Sequence, residues 1–169
     1  MTARPLIRAV ADDEWSIVAW LYQDFRHDLA PVVNGFPYAD GRYRHEWLDE
    51  YPGPGRAGYL AWAPHPHQSD ELAPVAFALV KGLDDPCREL AAFFVVPAAR
   101  YDGLGRWFAL DLFDRHPGAW AVAFQHDNVV AGHFWRAVAS EAWGERWSET
   151  EEPVPGKPDV PPDHWIRSA

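Results

Sequence analysis

The chain has 169 residues, 48% of them hydrophobic and 24% charged, and its 15 basic side chains stand against 25 acidic ones for a formal net charge of -10. A chain of this length buries roughly 70% of the surface it exposes when unfolded, so residues 1–169 are read as one domain with its own core. The acid surplus, with Lys81 and Lys157 as the only lysines and no basic run, argues against nucleic acid and favours a small cationic partner.

The lone Cys87 forms neither an internal disulfide nor a thiolate metal cluster. No apolar run approaches the ~18 residues of a membrane span, and Met1 to Val10 lacks the layout of a leader, so a cytoplasmic protein without membrane contact is expected. Ten tryptophans are an unusual load for so small a chain.

Pro5 to Val10 reads as a first strand. Asp12, Asp13 and Glu14 then place acid in the first turn of a helix whose apolar stripe is Val18, Leu21, Tyr22 and Phe25. Ala30 to Gly41, punctuated by Pro31, Asn34, Gly35 and Pro37, reads as a loop, and a short helix is expected over Arg42 to Tyr51. After the turn Pro52-Gly53-Pro54-Gly55, Gly58 to Ala63 and Val75 to Val80 form a hairpin. His65-Pro66-His67 falls in its connection, with no Cys or paired carboxylate at ligand spacing, and no metal is expected. Arg88 to Val96 reads as a buried central strand that Pro97 ends. Gly105, Phe108, Ala109, Leu112 and Phe113 define one face of a helix over Gly103 to His116. Trp120 to Phe124 is the next strand. Asp127 or Asn128 caps a helix with face Ala131, Phe134, Trp135, Val138 and Ala142, and a last strand lies around Arg146 to Glu151. The segment 152–169 is a C-terminal stretch rich in proline and acid, read as solvated and partly ordered. The order is that of an α/β protein with an antiparallel front and one parallel crossover.

Chemistry concentrates in Phe93-Phe94-Val95-Val96-Pro97-Ala98-Ala99-Arg100-Tyr101-Asp102-Gly103-Leu104-Gly105, a buried strand that turns tightly into a helix. Outward-pointing amides, the helix dipole and two glycines make that helix start an anion cradle suited to a pyrophosphate. The spacing R-x-x-G-x-G matches neither the three-glycine dinucleotide fingerprint nor the Walker loop.

The segment resembles the acyl-CoA motif of the GNAT superfamily of N-acyltransferases, R/Q-x-x-G-x-G/A. Asn128-Val129-Val130-Ala131 followed by Phe134-Trp135 is similar to the family's N-x-x-A-x-x-F-[YW] pattern on the next helix. More narrowly, FFVVPAAR, LFDRHPGAWAV and NVVAGHFWRAV resemble a branch of predicted acetyltransferases with F-F-V, P-G-x-W and F-W-R signatures. The resemblance is specific from Leu90 to Val138. It implies a mixed, mostly antiparallel central sheet flanked by about four helices, with the fourth and fifth strands splayed apart.

The resemblance further implies an acetyl-CoA-dependent N-acetyltransferase acting by direct attack of a small primary amine, as a monomer or homodimer. Free amides near Phe94, Val95 and Val96 would pair with the pantetheine arm. Those of Tyr101, Asp102, Gly103, Leu104, Gly105 and Arg106 would hold the pyrophosphate, with Arg100 nearby. Asn128 would meet the pantetheine or thiol region, and the Val95 amide would meet the thioester oxyanion. Trp135 stands where many members carry a tyrosine that protonates the leaving thiolate, and it reads as core or cofactor wall. Asp102 stands where basic or neutral residues are common.

Attack requires the ammonium to lose a proton, and Glu89 is the candidate base. Strand alternation places it on the face of Ala91, Phe93 and Val95, although roughly 20 Å separates it from Val95. For the acceptor, Asp28 either binds an ammonium, with Tyr22 and Tyr38 as walls, or is a solvated helix end. The alternative to an enzyme is a GNAT-fold module that binds acyl-CoA or a protein partner without catalysis.

Overall fold

The structure, a computed structural model, describes residues 4–169, so the reading of Met1 to Val10 lies partly outside the described residues. Seven strands form one sheet: β1 (Leu6–Ala9), β2 (Ala57–Pro64), β3 (Leu72–Lys81), β4 (Cys87–Val95), β5 (Ala119–Phe124), β6 (Trp147–Glu152) and β7 (Asp163–Ser168). Their spatial order is β1-β2-β3-β4-β5-β7-β6. Every pairing is antiparallel except β4 with β5. The helices are α1 (Trp15–Val33), α2 (Leu104–Arg115) and α3 (Val129–Trp143), with short 3₁₀ turns at Glu46–Glu50 and Pro97–Ala99.

Two apolar clusters sandwich the sheet. Val18, Leu21 and Tyr22 of α1 pack on Leu60, Phe77, Leu79, Ala92 and Phe94, while α2 and α3 cover Ala78, Val80, Leu90, Trp120 and Val122 on the opposite face. Trp120, against Phe113 at 4.9 Å between ring centroids, and Trp135 are the buried indoles and fill volume in the core, whereas Trp20 is exposed and the other tryptophans are partly buried at its margins.

The fold departs from the sequence reading in four places. Helix α1 begins at Trp15, so the three acids precede it; Glu14 instead turns back to Arg8 at 2.5 Å and accepts the Ala11 N–H. The helix also runs through Pro31 to Val33 where a loop was expected, because proline so near the end sacrifices one intrahelical bond. Asn34, left-handed at φ 50°, closes it. The expected helix over Arg42 to Tyr51 is only the 3₁₀ turn Glu46–Glu50. At the carboxyl end, Asp163–Ser168 forms β7 and inserts between β5 and β6, burying His164 and Ile166.

A bulge in β4 matters for the chemistry. Leu79 pairs with Ala92 and Val80 with Leu90, leaving Ala91 as the extra residue. One inserted residue reverses the alternation on either side of it.

Candidate active site

The two parallel strands part company early. Pairing between β4 and β5 runs from Cys87–Ala119 to Leu90–Val122 and stops, while β4 continues to Val95 alongside β3. The parallel partners therefore splay from Ala91 to Val95, the second half of β4. The Val96 N–H donates to Val75 O at 2.9 Å, and Phe94 faces Phe77 in register. By antiparallel alternation the Phe94 and Val96 peptide groups are directed at β3, and those of Phe93 and Val95 at the gap. Of the three amides expected to be free, only that of Val95 faces the opening. Phe93 joins it.

The gap opens into a cleft of about 400 Å³. Its floor is Phe93, Phe94 and Val95; one wall is Phe25, Asp28, Leu29 and Val32 of α1; the other is Val130, Ala131, Phe134 and Trp135 of α3. Side chains from both faces of β4 reach it because no strand covers that edge. Phe93 stacks on Phe134 at 5.9 Å and meets Trp135 edge-on at 5.1 Å, so the α3 wall is a continuous aromatic surface.

The mouth is the turn from Arg100 to Arg106. Tyr101 (φ 71°) and Gly103 (φ 78°) are both left-handed, and Tyr101 is 94% exposed. A tyrosine held in that region without burial to stabilise it marks a turn shaped for something other than packing. Gly103 caps α2 with no side-chain hydrogen bond, and the first turn carries no acid. The opening amides of α2, Leu104 to Arg106, are thus the orphan donors of a helix start. Gly105 lies against the floor and the α3 wall, where a Cβ would stand 3.4 Å from Val95 Cγ2 and 3.4 Å from Phe134 Cε2.

Arg100 ties the site together. Its Nε donates to Val95 O at 2.9 Å, Nη2 donates to Asp28 Oδ2 at 2.9 Å, and the guanidinium lies over the Phe94 ring. The Val95 carbonyl is thereby occupied, while its N–H is directed at the gap, where β5 no longer pairs with β4. Arg106 is less available to an anion than the sequence suggested: it forms a bidentate pair with Glu141, which raises its pKa further. Asn128 caps α3 by accepting the Ala131 N–H at 3.2 Å and also lines the cleft.

Other expected site residues stand elsewhere. Val96 packs with the α1-side cluster, and Asp102 is exposed and does not line the cleft; the Leu104 side chain is buried in the core, and only its amide belongs to the helix start. Tyr22 is 1% exposed, its hydroxyl accepts Trp47 Nε1–H at 2.6 Å, and burial raises its pKa. It is a core residue. Tyr38 donates to Glu46 in the loop after α1 and is not in the cleft, so only Asp28 of the expected acceptor trio lines it. Glu89 is the clearest correction. The Ala91 bulge leaves Glu89 and Ala91 in a separate pocket with Trp47, Tyr51 and Arg56, where Glu89 pairs with Lys81 at 2.9 Å, away from Phe93 and Val95.

Phe25 sits on the helical stripe and reads as core, Val32 falls in the segment read as a loop, and Leu29 carries no signal of its own, so none of the three is a site residue by sequence. Val32 reaches the cleft because α1 runs on past Pro31, beside Phe25 and Leu29 on the same helix.

No protein-family model and no curated protein sequence matches this chain. Solved structures match along nearly its whole length. A bisubstrate-analogue complex of NAA60 from Arabidopsis thaliana superposes with a TM-score of 0.66 at 9% identity, covering 97% of this chain and 98% of that one. The ribosomal-protein-S18-alanine N-acetyltransferase of Escherichia coli gives 0.61 at 13% identity, covering 97% and 92%. A mutant of the spermidine N-acetyltransferase SpeG from Vibrio cholerae gives 0.62 at 8% identity, covering 96% and 94%. With its splayed β4 and β5 and a glycine-capped helix at their opening, the chain has the fold of the GNAT N-acetyltransferases.

Proposed function

We propose that this protein is an N-acetyltransferase that transfers the acetyl group of acetyl-CoA to a primary amine of a small, cationic acceptor. The observation that carries the reading is the unpaired Val95 amide on the open edge of β4, one turn of chain away from the uncapped start of α2. The pyrophosphate would rest on the Leu104 to Arg106 amides, where the first turn holds no competing acid. The pantetheine would run between β4 and the aromatic wall, against Phe93, Phe134 and Trp135.

In the reaction the neutral amine nitrogen attacks the thioester carbonyl carbon. The carbonyl oxygen takes up negative charge and accepts the Val95 N–H, and collapse expels the thiolate. An acceptor that arrives as an ammonium gives amide, CoA thiol and one proton. Asp28 is the carboxylate in the cleft, and it would grip that ammonium while Arg100 holds it in place. Trp135 cannot protonate the thiolate, so water would supply that proton. Direct attack is favoured over an acyl-enzyme because Cys87 opens β4 at the end opposite Val95, with burial raising its pKa. The structural neighbours support the reading: two are N-acetyltransferases of spermidine and of the alanine of ribosomal protein S18, and a third is bound to a bisubstrate analogue.

Trp135 in place of a phenol favours a second reading, a module that binds acyl-CoA without turnover. Incubation with acetyl-CoA, a thiol reagent and a panel of polyamines, amino acids, amino sugars and peptide amines separates the two. Acetyl transfer predicts thiol release with at least one amine. CoA binding with no release for any amine selects the module.

A further inference from the structure

The geometry points to a divalent metal site of the zinc class on the α3 side of the sheet, built from His126, His164 and Glu151. It goes beyond the acyl-transfer reading and does not depend on it. His126 follows β5, while Glu151 and His164 sit opposite each other in the β6–β7 register, so three separate elements supply one donor each. One donor atom from each of His126, His164 and Glu151 lies within 4.8 Å of the other two.

The spacing fits a metal. Zinc holds nitrogen and oxygen ligands at about 2.0–2.2 Å, so two ligands of a tetrahedral site stand about 3.3–3.6 Å apart. The observed separations straddle that edge: His126 Nδ1 to His164 Nε2 is 3.0 Å, and His164 Nε2 to Glu151 Oε1 is 3.9 Å. The first would open and the second close by a few tenths of an ångström. At 3.9 Å the second is too long for a hydrogen bond, so Glu151 stands beside His164 without being bonded to it.

The surroundings prepare His164 as a ligand. Its Nδ1 lies 2.7 Å from Glu149 Oε1, and Arg136 grips both oxygens of Glu149 at 2.7 and 2.8 Å. A carboxylate fixed in this way accepts from Nδ1–H, which leaves the lone pair on Nε2, toward His126. This carboxylate–histidine arrangement is how proteins set the tautomer and ring orientation of a metal ligand. Phe124 stacks on the His164 ring at 5.0 Å and 11°, holding it from the other side. His164 is 9% exposed while His126 and Glu151 are exposed, so the site has a buried inner ligand, two exposed outer ones and an entry path. Without metal, His126 Nδ1–H donates to His164 Nε2; on binding, that proton moves to the solvent-facing Nε2 of His126. Water completes the coordination. The metal would clamp the β6–β7 hairpin to the loop that leads to Asn128 at the cleft.

The test uses the full chain, stripped with a chelator and titrated with Zn²⁺ by calorimetry and with Co²⁺ by visible absorption. One equivalent of each is expected, with a higher Tm in zinc. His126→Ala, at an exposed position, should fold normally and lose at least ~100-fold in affinity, and Glu149→Gln should lose ~10–100-fold at unchanged stoichiometry. His65→Ala should bind as the parent does. No uptake by the parent chain, or uptake unchanged in His126→Ala, would overturn the site and leave a metal-free Glu149–His164–His126 hydrogen-bond chain.

Discussion

Replacing Gly103 by valine separates the cradle at the start of α2 from ordinary turn structure. Gly103 has φ 78° and ψ 1°, and a Cβ there would meet nothing within 4 Å, so the cost is conformational and not steric. A side chain in this left-handed region costs about 1–3 kcal/mol. Against a typical stability of about 5–15 kcal/mol the domain stays folded. At about 2–4 °C per kcal/mol the Tm should fall by about 2–12 °C. Relief of the strain requires the turn to rotate toward right-handed φ, which swings the Leu104 to Arg106 amides off the cleft. An amide bond to a charged acceptor contributes about 1.5–3 kcal/mol, so losing two removes about 3–6 kcal/mol. That corresponds to roughly 10²–10⁴-fold in the Kd for CoA. Calorimetric titration of CoA into folded Gly103→Val, with its Tm recorded in parallel, reads both numbers. A folded variant whose Kd lies within ~3-fold of the parent would refute the argument, because that loss is under ~1 kcal/mol.

Arg100→Ala removes a charged donor from the Val95 carbonyl and a half-exposed pair with Asp28; a loss of about 1–3 kcal/mol is expected in denaturant titration, with a raised KM for acetyl-CoA. Trp120→Ala empties a site that is 1% exposed and removes the Nε1 bond to His116 O at 3.0 Å, which should cost about 3–5 kcal/mol. Glu149 carries an acid dependence: the hydrogen-bonded Arg136 guanidinium holds its pKa at about 2, against an ordinary 4.5, with His164 adding to the effect. Because the folded pKa is the lower one, its contribution is complete above pH 4.5 and fades as the pH falls toward about 2. Thermal melts of the parent and Glu149→Gln should therefore converge across that window.

The strands and the cofactor motif were legible because each rests on local pattern. Dense apolar residues mark β4, Pro97 ends it, and R-x-x-G-x-G needs only the chain order to become a turn beneath a helix. What stayed hidden was long-range. The Ala91 bulge sits in a run of small and apolar residues with no glycine or proline to flag it, yet it decides which way Glu89 faces. The strand β7 follows a proline-rich acidic stretch that dominates its composition; the alternation of His164 and Ile166 with Trp165 and Arg167 was the available signal. Tyr22 follows the helical stripe faithfully, and periodicity cannot tell a core tyrosine from a cleft wall until Trp47 is found against its hydroxyl. His126 and His164 are 38 residues apart and meet only through the insertion of β7. The acid surplus also takes on a narrower meaning. Arg106 is engaged by Glu141 and Arg100 by Asp28, so anion binding falls to backbone amides.

The most direct test of the cleft is residue-resolved amide hydrogen exchange with and without CoA. If acyl-CoA lies along the open edge of β4, the Val95 amide exchanges quickly in the free protein and gains protection with CoA, together with Leu104 to Arg106. Phe94 and Val96, bonded to β3, stay slow in both states. Protection that leaves Val95 and the α2 start unchanged would contradict the account.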